Sequence, residues 1–570
     1  MAPISSDIVP LNAGRIKRLY GPVRFQAGLT NMLVSQGSTT ASDLDTTEGK
    51  SFQGIYFCFV NKLGQICDFK RGGDTVTAFA VLQPGSIEYH FTMNKASAGI
   101  LQTVTTYVEG ILETLNSTSD EVVMTADQNS PIFIDIRRRV IRFNRPRIRW
   151  YIKQISKYVG LCINSSDADG TSDGASVSRH LRVLQQLSAF VQQTEENLDF
   201  VDHGQKLLEA LRERYRPLDR YMRSKLSVSE DDTAISDSPW VKLRHPIGRL
   251  QSYNVAVKVL ISVRHQLPRL FSQFSVVAVP PAAETEAPNI NVQANTIIGK
   301  MTNDKAKIES HRLNAEKLQA MGLDRNIKEA NEKVTKLKVH AEVNLLDSIL
   351  RDSREEPVPF YNEGRFGRYI GCSKPTCQLC HLYFGAHPAR VTVRTTHHNL
   401  YPGWRTPDVY VSDGPAAAAR RDKIVEQMIL GIRQVTFDSI QTMAAPWRHS
   451  DSGDTATNPF VSTLSTAGSV VRTATRMSQA ATPVPGRGRI DEHEDDDVFD
   501  DLASKMGQLD VQSVRDLSSE SEEEGDSIDR DEDEDEDEDE GWDEVTQGTG
   551  SHEEDESDPT SDDEEGGSGL

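Results

Sequence analysis

Two short runs of residues constrain the fold of this 570-residue chain more than any other feature. The tripeptide His-Ala-Glu at 340–342 opens an apolar run with helical spacing, and Cys377 and Cys380 lie three positions apart further along the chain. Residues three positions apart lie on one face of a helix, so both thiols should point to the same side. One imidazole and two thiolates form a three-ligand zinc site whose fourth position is left to water. The sequence therefore predicts two helices that meet at a metal ion.

Glu342 follows His340 by two positions and therefore faces another direction on the helix, so it need not bind the metal. Zinc lowers the pKa of a coordinated water to about 7. A neighbouring carboxylate can take the proton and pass it to a ring nitrogen and then to leaving ammonia. The pattern H-x-E followed by C-x-x-C is the signature of zinc-dependent nucleobase deaminases, with the Glu as general acid and base. We therefore predict Zn²⁺ as the cofactor, His340, Cys377 and Cys380 as its ligands, and Glu342 as the catalytic residue.

The elements around the motif support this interpretation. His340 and Cys377 are separated by 37 positions. A strand-like stretch at 368–371 lies between them, and a β-like stretch at 391–395 follows them. The predicted order is thus helix, strand, helix, strand.

Three stretches of the sequence, HAEVNLL, YIGCSKPTCQLCHLYF and VRTTHHNLYPGWRTP, lie between Val339 and Pro407. In these stretches the chain resembles the OTT_1508-like deaminase family of the zinc-dependent cytidine deaminase-like superfamily. The resemblance implies a mixed sheet with the two zinc helices packed on one face. The chain departs from the pattern at Pro375, which lies two residues before Cys377, where many members have Pro directly before the first Cys.

Cys372 is a third thiol near the motif and supports a rival interpretation. In that interpretation Cys372, Cys377, Cys380 and either His381 or His387 enclose a structural zinc. A closed four-ligand site cannot activate water. The rival leaves the His-Ala-Glu helix start unexplained, so we favour the open site.

Candidate substrate-binding residues follow the predicted fourth strand. His398 and Trp404 could stack on a base or hydrogen-bond to it; the alternative is a packed surface turn. Asn344, two residues beyond Glu342, is either a further substrate contact or a helix-surface residue.

A basic cluster within 137–157 is interleaved with aromatic residues, as in nucleic-acid grooves that combine cations with stacking side chains. The alternative is a basic surface that pairs with the acidic tail or with acidic side chains of its own domain. The candidate nucleic-acid contacts are Arg137, Arg138, Arg139, Arg142, Arg145, Arg147 and Arg149.

Charge is distributed unevenly along the chain. Residues 491–570 contain 37 acidic and 3 basic side chains, a net charge of −34, so the whole-chain charge of −22 leaves +12 for residues 1–490. Such an acidic segment cannot bury enough apolar surface to offset its ordering entropy, and we predict that it is disordered. A basic body suggests a nucleic-acid partner, RNA or DNA. The helical region or the acidic tail could recruit a protein partner.

The predicted fold is α+β and multidomain, with a mostly helical N-terminal region, a cytidine deaminase-like α/β/α domain and a disordered acidic tail. Within the first part, 55–60 and 75–81 are β-like, whereas apolar stripes at three- and four-residue steps predict helices from 96 to 274. The predicted segments are a mixed β-like segment (1–95), a helical domain (96–278), a linker (279–295), the deaminase-like domain (296–445), a Ser/Thr-rich linker (446–490) and the acidic tail (491–570).

The six cysteines form no disulfide framework. The N-terminus has no apolar core of signal-peptide length, and no later stretch approaches the ~20 apolar residues needed to cross a bilayer. We expect an intracellular protein of the nucleus or cytoplasm, neither secreted nor membrane-bound. The leading hypothesis is a zinc-dependent hydrolytic deaminase of a nucleobase, cytosine by default, in single-stranded RNA or DNA. The alternatives are an inactive deaminase-fold binding or regulatory protein with a structural zinc, and a deaminase of free nucleosides or nucleotides.

Overall fold

The computed structural model describes residues 7–33, 50–194, 197–226, 238–290, 292–352 and 358–444. These residues belong to one compact unit, Met1–Thr466. A second unit, Ala467–Leu570, lies outside the described residues, as do the predicted linker at 446–490 and the predicted disordered tail at 491–570. None of the described helices has both the length and the apolar character needed to cross a bilayer.

The described chain is a mixed α+β structure in which helices predominate. The helices are α1 (Ala13–Met32), α2 (Phe52–Cys67), α3 (Ala98–Ser117), α4 (Asp120–Thr125), α5 (Pro131–Phe143), α6 (Arg145–Ala168), α7 (Ser172–Gln193), α8 (Asn197–Leu226), α9 (Pro239–Gln266), α10 (Ala294–Met301), α11 (Lys305–Ala320), α12 (Leu323–Glu332), α13 (Ala341–Asp352), α14 (Glu363–Phe366), α15 (Gln378–Ala386) and α16 (Gly414–Thr442). The strands are β1 (Thr77–Leu82), β2 (Ile87–Met93), β3 (Phe274–Ala278), β4 (Thr285–Glu286), β5 (Lys336–Leu337), β6 (Tyr369–Cys372) and β7 (Thr392–Val393).

Five strands form one sheet in the order β3-β2-β1-β6-β7. Strand β1 pairs antiparallel with both β2 and β6, whereas the β2–β3 and β6–β7 pairs are parallel. Every residue of β1 is buried, as expected for a central strand that is covered on both faces. The sheet thus takes strands from the predicted 1–95, 96–278 and 296–445 segments.

The two faces of the sheet carry different helices. Ala78, Ala80 and Ile370 belong to a core cluster that includes Leu345 of α13 and Leu379 of α15. Side chains alternate between the faces of a strand, so Gly371 points the other way, where a Cβ would lie 2.8 Å from a side-chain atom of Val60 in α2. Helix α2 therefore covers one face, and α13 and α15 cover the other.

The structure corrects the β-like prediction for Ile55–Val60, because these residues lie within α2. The Ser51 side chain caps this helix by accepting a hydrogen bond from the Gly54 backbone. Ile55, Phe59 and Leu63 recur at helical spacing and are buried. Tertiary burial of this stripe outweighs the strand preference of β-branched and aromatic residues. The other β-like run is confirmed by β1.

The helical stripes predicted between 96 and 274 are confirmed. Leu181, Leu184 and Val191 are buried on α7, and Leu250 and Val257 are buried on α9. Helix α9 ends just before Pro268, as predicted, but it begins at Pro239 and contains Pro246. The break predicted near Gly322 is also present, because this glycine has φ +102° between α11 and α12.

The predicted linker at 279–295 makes hydrogen bonds to the strands and loops beside it. Val279 donates its backbone N–H to Phe91 O at 2.8 Å, and β4 pairs antiparallel with β5 just before His340. The Ala283 carbonyl accepts a hydrogen bond from Arg405. This proline-rich stretch is therefore an extended segment that is hydrogen-bonded to β2, to β5 and to Arg405.

Candidate metal centre

His340 directly precedes α13, and residues distant in sequence fix the start of that helix. Asn94, just after β2, accepts a hydrogen bond from the Ala341 backbone N–H at 2.7 Å. The Asn344 amide donates to Thr92 Oγ1 at 3.2 Å and to Pro280 O at 2.9 Å. Asn94 thereby satisfies the Ala341 N–H, which would otherwise be unpaired at the helix start. These bonds fix the start of α13 to the end of β2 and so set the position of His340.

The second motif lies at the start of α15. Cys377 is the N-cap residue, and its sulfur accepts a hydrogen bond from the Cys380 backbone N–H at 3.4 Å. The preceding residue, Thr376, donates its backbone N–H to Thr395 O at 3.0 Å. The loop after β7 therefore holds the helix start, and one helical turn brings both thiols to the same side.

These two helix starts bring His340, Cys377 and Cys380 together, and we call these three residues the ligand group. One ligand atom from each lies within 4.8 Å of the others. His340 Nδ1 lies 3.4 Å from both sulfurs. A tetrahedral zinc with usual bond lengths would separate such N and S ligands by about 3.6 Å. Both cysteines are buried and His340 is half-buried. The donor set and its spacing fit zinc.

Trp404 and Glu342 lie beside the second thiol. The indole N–H of Trp404 donates to Cys380 Sγ at 3.2 Å, and this side chain is fully buried. The Glu342 carboxylate is also buried, and its charge acts on both His340 and the Cys380 thiol. Glu342 is therefore next to the ligand group without belonging to it.

Burial and mutual charge shift the pKa of each group at this centre. Burial raises the pKa of Glu342, against the attraction of His340. Burial alone would lower the pKa of His340, but the Cys377 sulfur outweighs it and raises that pKa. At Cys377 burial opposes ionisation, yet the hydrogen bond from Cys380 and the charge of His340 hold its pKa well below the usual range.

For Cys380 the balance is opposite, because burial and the neighbouring Cys377 raise its pKa well above the usual range. The two thiols therefore differ in how readily they ionise, with Cys377 the more acidic. Metal binding requires deprotonated ligands, so loading this site would release protons.

The rival four-ligand site is not formed by the described residues. The group that could hold a metal there consists of His340, Cys377 and Cys380. Cys372 lies in β6, where Asn61 accepts its backbone N–H, and burial raises its thiol pKa. His387 accepts the Ala389 backbone N–H on Nδ1. Among the described residues, the side chains placed to hold a metal at this centre are therefore these three.

A comparison with protein-family models identifies this region. Residues 339–408 match the OTT_1508-like deaminase family. The resemblance seen in the sequence is confirmed, and the matched range, which we call the deaminase segment, contains the ligand group and Glu342. No curated protein and no solved structure matches the chain.

The three candidate substrate contacts of the deaminase segment have different environments. Asn344 is buried, with its amide bonded to Thr92 in β2 and to Pro280, so it is not a helix-surface residue. Trp404 is in the core behind Cys380, so its burial argues against a substrate contact. His398 is half-buried, with φ +61°, and its Nδ1 lies 2.9 Å from Gln378 Oε1. Substrate contact through these residues stays a prediction.

Further residues shape the deaminase segment, and two of them, Asn94 and Tyr20, were not predicted from the sequence. The half-buried Tyr401 ring lies edge-on to His340, with ring centroids 5.7 Å apart. Tyr20 of α1 donates its hydroxyl to Trp404 O at 3.0 Å. Asn94 and Tyr20 are far from the motif in sequence, so no local pattern indicates their roles.

The arginine cluster lies on α5 and α6, outside the deaminase segment, and much of it contacts its own unit. Four arginines have acidic partners: Arg137–Glu209, Arg138–Asp202, Arg139–Asp135 and Arg147–Asp68. Arg145 and Arg149 lie over the Phe200 ring, each 5.3 Å from its centroid. Arg142 is exposed. Nucleic-acid contact through this cluster stays a prediction.

Proposed function

We propose that this protein is a zinc-dependent hydrolytic deaminase of a nucleobase, with cytosine favoured. The observation that carries the proposal is the ligand group of His340, Cys377 and Cys380 with Glu342 directly beside it. Three ligands and an open position are typical of catalytic zinc, and an adjacent carboxylate supplies the proton transfer that deamination requires.

We further propose that the cytidine deaminase-like domain is discontinuous. Its sheet would combine the β1–β2 hairpin with β6 and β7, and α13 and α15 would be the two zinc helices on one face. The helices between β2 and β3 would then be an insertion within the domain. The sheet order β2-β1-β6-β7 and the coverage of both sheet faces by helices support this assignment.

Zinc, when bound by these three ligands, would supply the Lewis-acid chemistry that makes water nucleophilic near neutral pH. Glu342 accepts a proton from the attacking water and delivers it to the ring nitrogen next to the amino-bearing carbon. A second transfer through Glu342 protonates the amino group, which leaves as ammonia while the water oxygen becomes the ring carbonyl. Each transfer requires a carboxylate held beside the ligand group.

Glu342→Gln tests this role against zinc binding. The amide keeps the shape of the side chain but cannot shuttle a proton, so we expect turnover to fall roughly 10²–10⁴-fold while zinc stays near one per chain. His340→Ala should lose zinc, and Glu309→Gln, an exposed change on α11, should alter neither quantity. Ammonia release and bound metal are measured in parallel.

If the Glu342→Gln variant binds zinc and the unaltered protein deaminates no cytosine, adenine or guanine substrate, the protein is a binding or regulatory protein with a structural zinc. If zinc persists without His340, the ligand assignment itself is wrong.

The size of the substrate is a separate question. A single strand of RNA or DNA remains our first candidate, because the target base must be unpaired to enter a pocket. The ion pairs of the arginine cluster favour the second candidate, a free nucleoside or nucleotide, since paired arginines are less available for phosphates. Comparing turnover of cytidine, cytidine monophosphate and a single-stranded oligonucleotide in RNA and DNA form distinguishes the two.

A further inference from the structure

A cleft lies away from the metal centre. It has a volume of about 280 Å³ and is bounded by α13, α15, α16 and the chain segment at 406–413. Small-molecule sites usually occupy roughly 300–1,000 Å³, so the cleft has room for a compact ligand.

The cleft and the metal centre are at different positions on the same helices. Asp347 and Arg351 line the cleft and follow His340 by seven and eleven positions. At a rise of ~1.5 Å per residue they lie about 10–16 Å further along the helix axis. A ligand in the cleft would therefore not contact the zinc ligands.

Most charges of the cleft are already paired. Arg351 donates to Asp347 at 2.9 Å and to Asp413 at 3.1 Å. Arg421 donates to the backbone carbonyls of Val9 and Pro10. Burial raises the pKa of Asp347 to about 6 despite Arg351, and such a shift in a cleft is frequent at ligand sites.

Arg420 and His387 also line the cleft, and Arg420 is exposed there. Burial, together with the charge of Arg420, lowers the pKa of His387 to about 4. His387 is therefore neutral at pH 7. Its Nδ1 accepts the Ala389 backbone N–H at 3.2 Å, which places the ring proton on Nε2. The cleft thus offers a cation and a neutral donor.

Part of the lining is apolar. Leu350, Val409 and Ile424 line the cleft, and the small side chain of Ala417 lines it as well. An anionic group near Arg420 together with an apolar body against these side chains would match both kinds of lining.

We propose that this cleft binds a small organic anion whose phosphate or carboxylate group contacts Arg420 and His387 and whose apolar body lies against Leu350, Val409 and Ile424. Charge-assisted hydrogen bonds fix the head group, and apolar burial distinguishes the ligand from an inorganic anion. The proposed deaminase activity assigns no role to this cleft.

Calorimetric titration of the full-length protein with phenyl phosphate and with benzoate tests the proposal. We expect at least one probe to bind with one site per chain and more tightly than inorganic phosphate. The probe with the higher affinity identifies the head group as phosphate or carboxylate.

Arg420→Gln should weaken binding at least tenfold, whereas Lys423→Gln should change it less than twofold. Lys423 is the matched control because it is exposed on the same helix and does not line the cleft. Ala417→Phe should abolish binding by filling the space while Arg420 is kept. Unchanged thermal unfolding shows that each variant is folded.

The proposal is overturned if neither probe binds, if both charge variants weaken binding equally, or if Ala417→Phe binds as the unaltered protein does. The titration depends on neither zinc nor turnover, so failure of the deaminase proposal would leave its outcome unchanged.

Discussion

Trp404 was predicted as a substrate contact, but its environment indicates a different role. Its indole N–H is hydrogen-bonded to the sulfur of Cys380, a proposed metal ligand, and the ring is fully buried. A donor to a thiolate reduces its electron density and orients it, and loss of such partners commonly costs metal sites about 10–100-fold in affinity. We therefore expect Trp404 to act on a bound metal through Cys380.

Trp404→Phe removes this donor and keeps an aromatic ring in the core. We expect zinc affinity, measured by chelator competition, to fall about tenfold. With cobalt in place of zinc, the sulfur-to-metal charge-transfer band should move to lower energy because the thiolate becomes more electron-rich. Trp150→Phe is the control, since Trp150 stacks on Arg71. An unchanged band and affinity would show that Trp404 only fills space.

At the level of single residues, the ligand group and Glu342 could be predicted because their spacing reflects metal chemistry. Cys377 and Cys380 lie on one helical turn, and that relation is local. The environments of Trp404 and Asn344 could not be predicted, because they depend on Cys380 and Thr92, which lie far away in sequence. A polar or aromatic residue close to a motif in sequence can face either the site or the core, and local sequence does not distinguish the two.

At the level of elements, the contact between α2 and β6 depends on the absence of a side chain. A Cβ at Gly371 would lie 2.8 Å from Asn61 Oδ1 and 2.9 Å from the Asn61 backbone nitrogen. The backbone of a packed helix can move away from such a contact only at a cost in folding free energy. The close approach lets Asn61 accept hydrogen bonds from Tyr369 and from the Cys372 backbone.

Gly371→Ala should therefore lower the free energy of unfolding by about 1–3 kcal/mol, the usual cost of overpacking. Urea denaturation measures the change. Gly385→Ala in α15 is the control, because a Cβ there meets no atom within 4 Å, and alanine should stabilise a helix by up to ~1 kcal/mol. Equal stability of both variants would mean that α2 can shift away from β6.

The elements nearest the motif could be predicted, since α13, β6, α15 and β7 follow in the expected order. The error at Ile55–Val60 has a different cause. Most of its residues are β-branched or aromatic, and their burial against the sheet favours a helix there. Local propensity contains no information about that surface.

At the scale of the whole molecule, the sheet joins distant parts of the chain. Ala78 pairs with Cys372, and β6 and β7 have four and two residues. A proline-rich stretch at 279–290 is typical of a linker, but strand pairing across it is not visible in the sequence. The domain boundaries therefore remain predictions that a fragment can test.

A fragment of residues 296–445 keeps every zinc ligand but lacks β1 and β2. We expect it to show no cooperative unfolding and to bind zinc at least tenfold more weakly than residues 1–444, because Asn94 and the central strand are missing. Denaturant titration and chelator competition measure both. A fragment that unfolds cooperatively with full zinc affinity would establish 296–445 as an independent domain.

Helix α1 packs against α16, and Arg15 bonds to Glu426 across 411 positions. A ribosome adding about 5–20 residues per second needs on the order of a minute to produce the second partner after the first. Throughout that interval the nascent chain exposes the apolar surface of α1, which is a substrate for chaperones. Yield in a cell should therefore depend on translation speed and chaperone supply, and chains that terminate before α16 should be degraded.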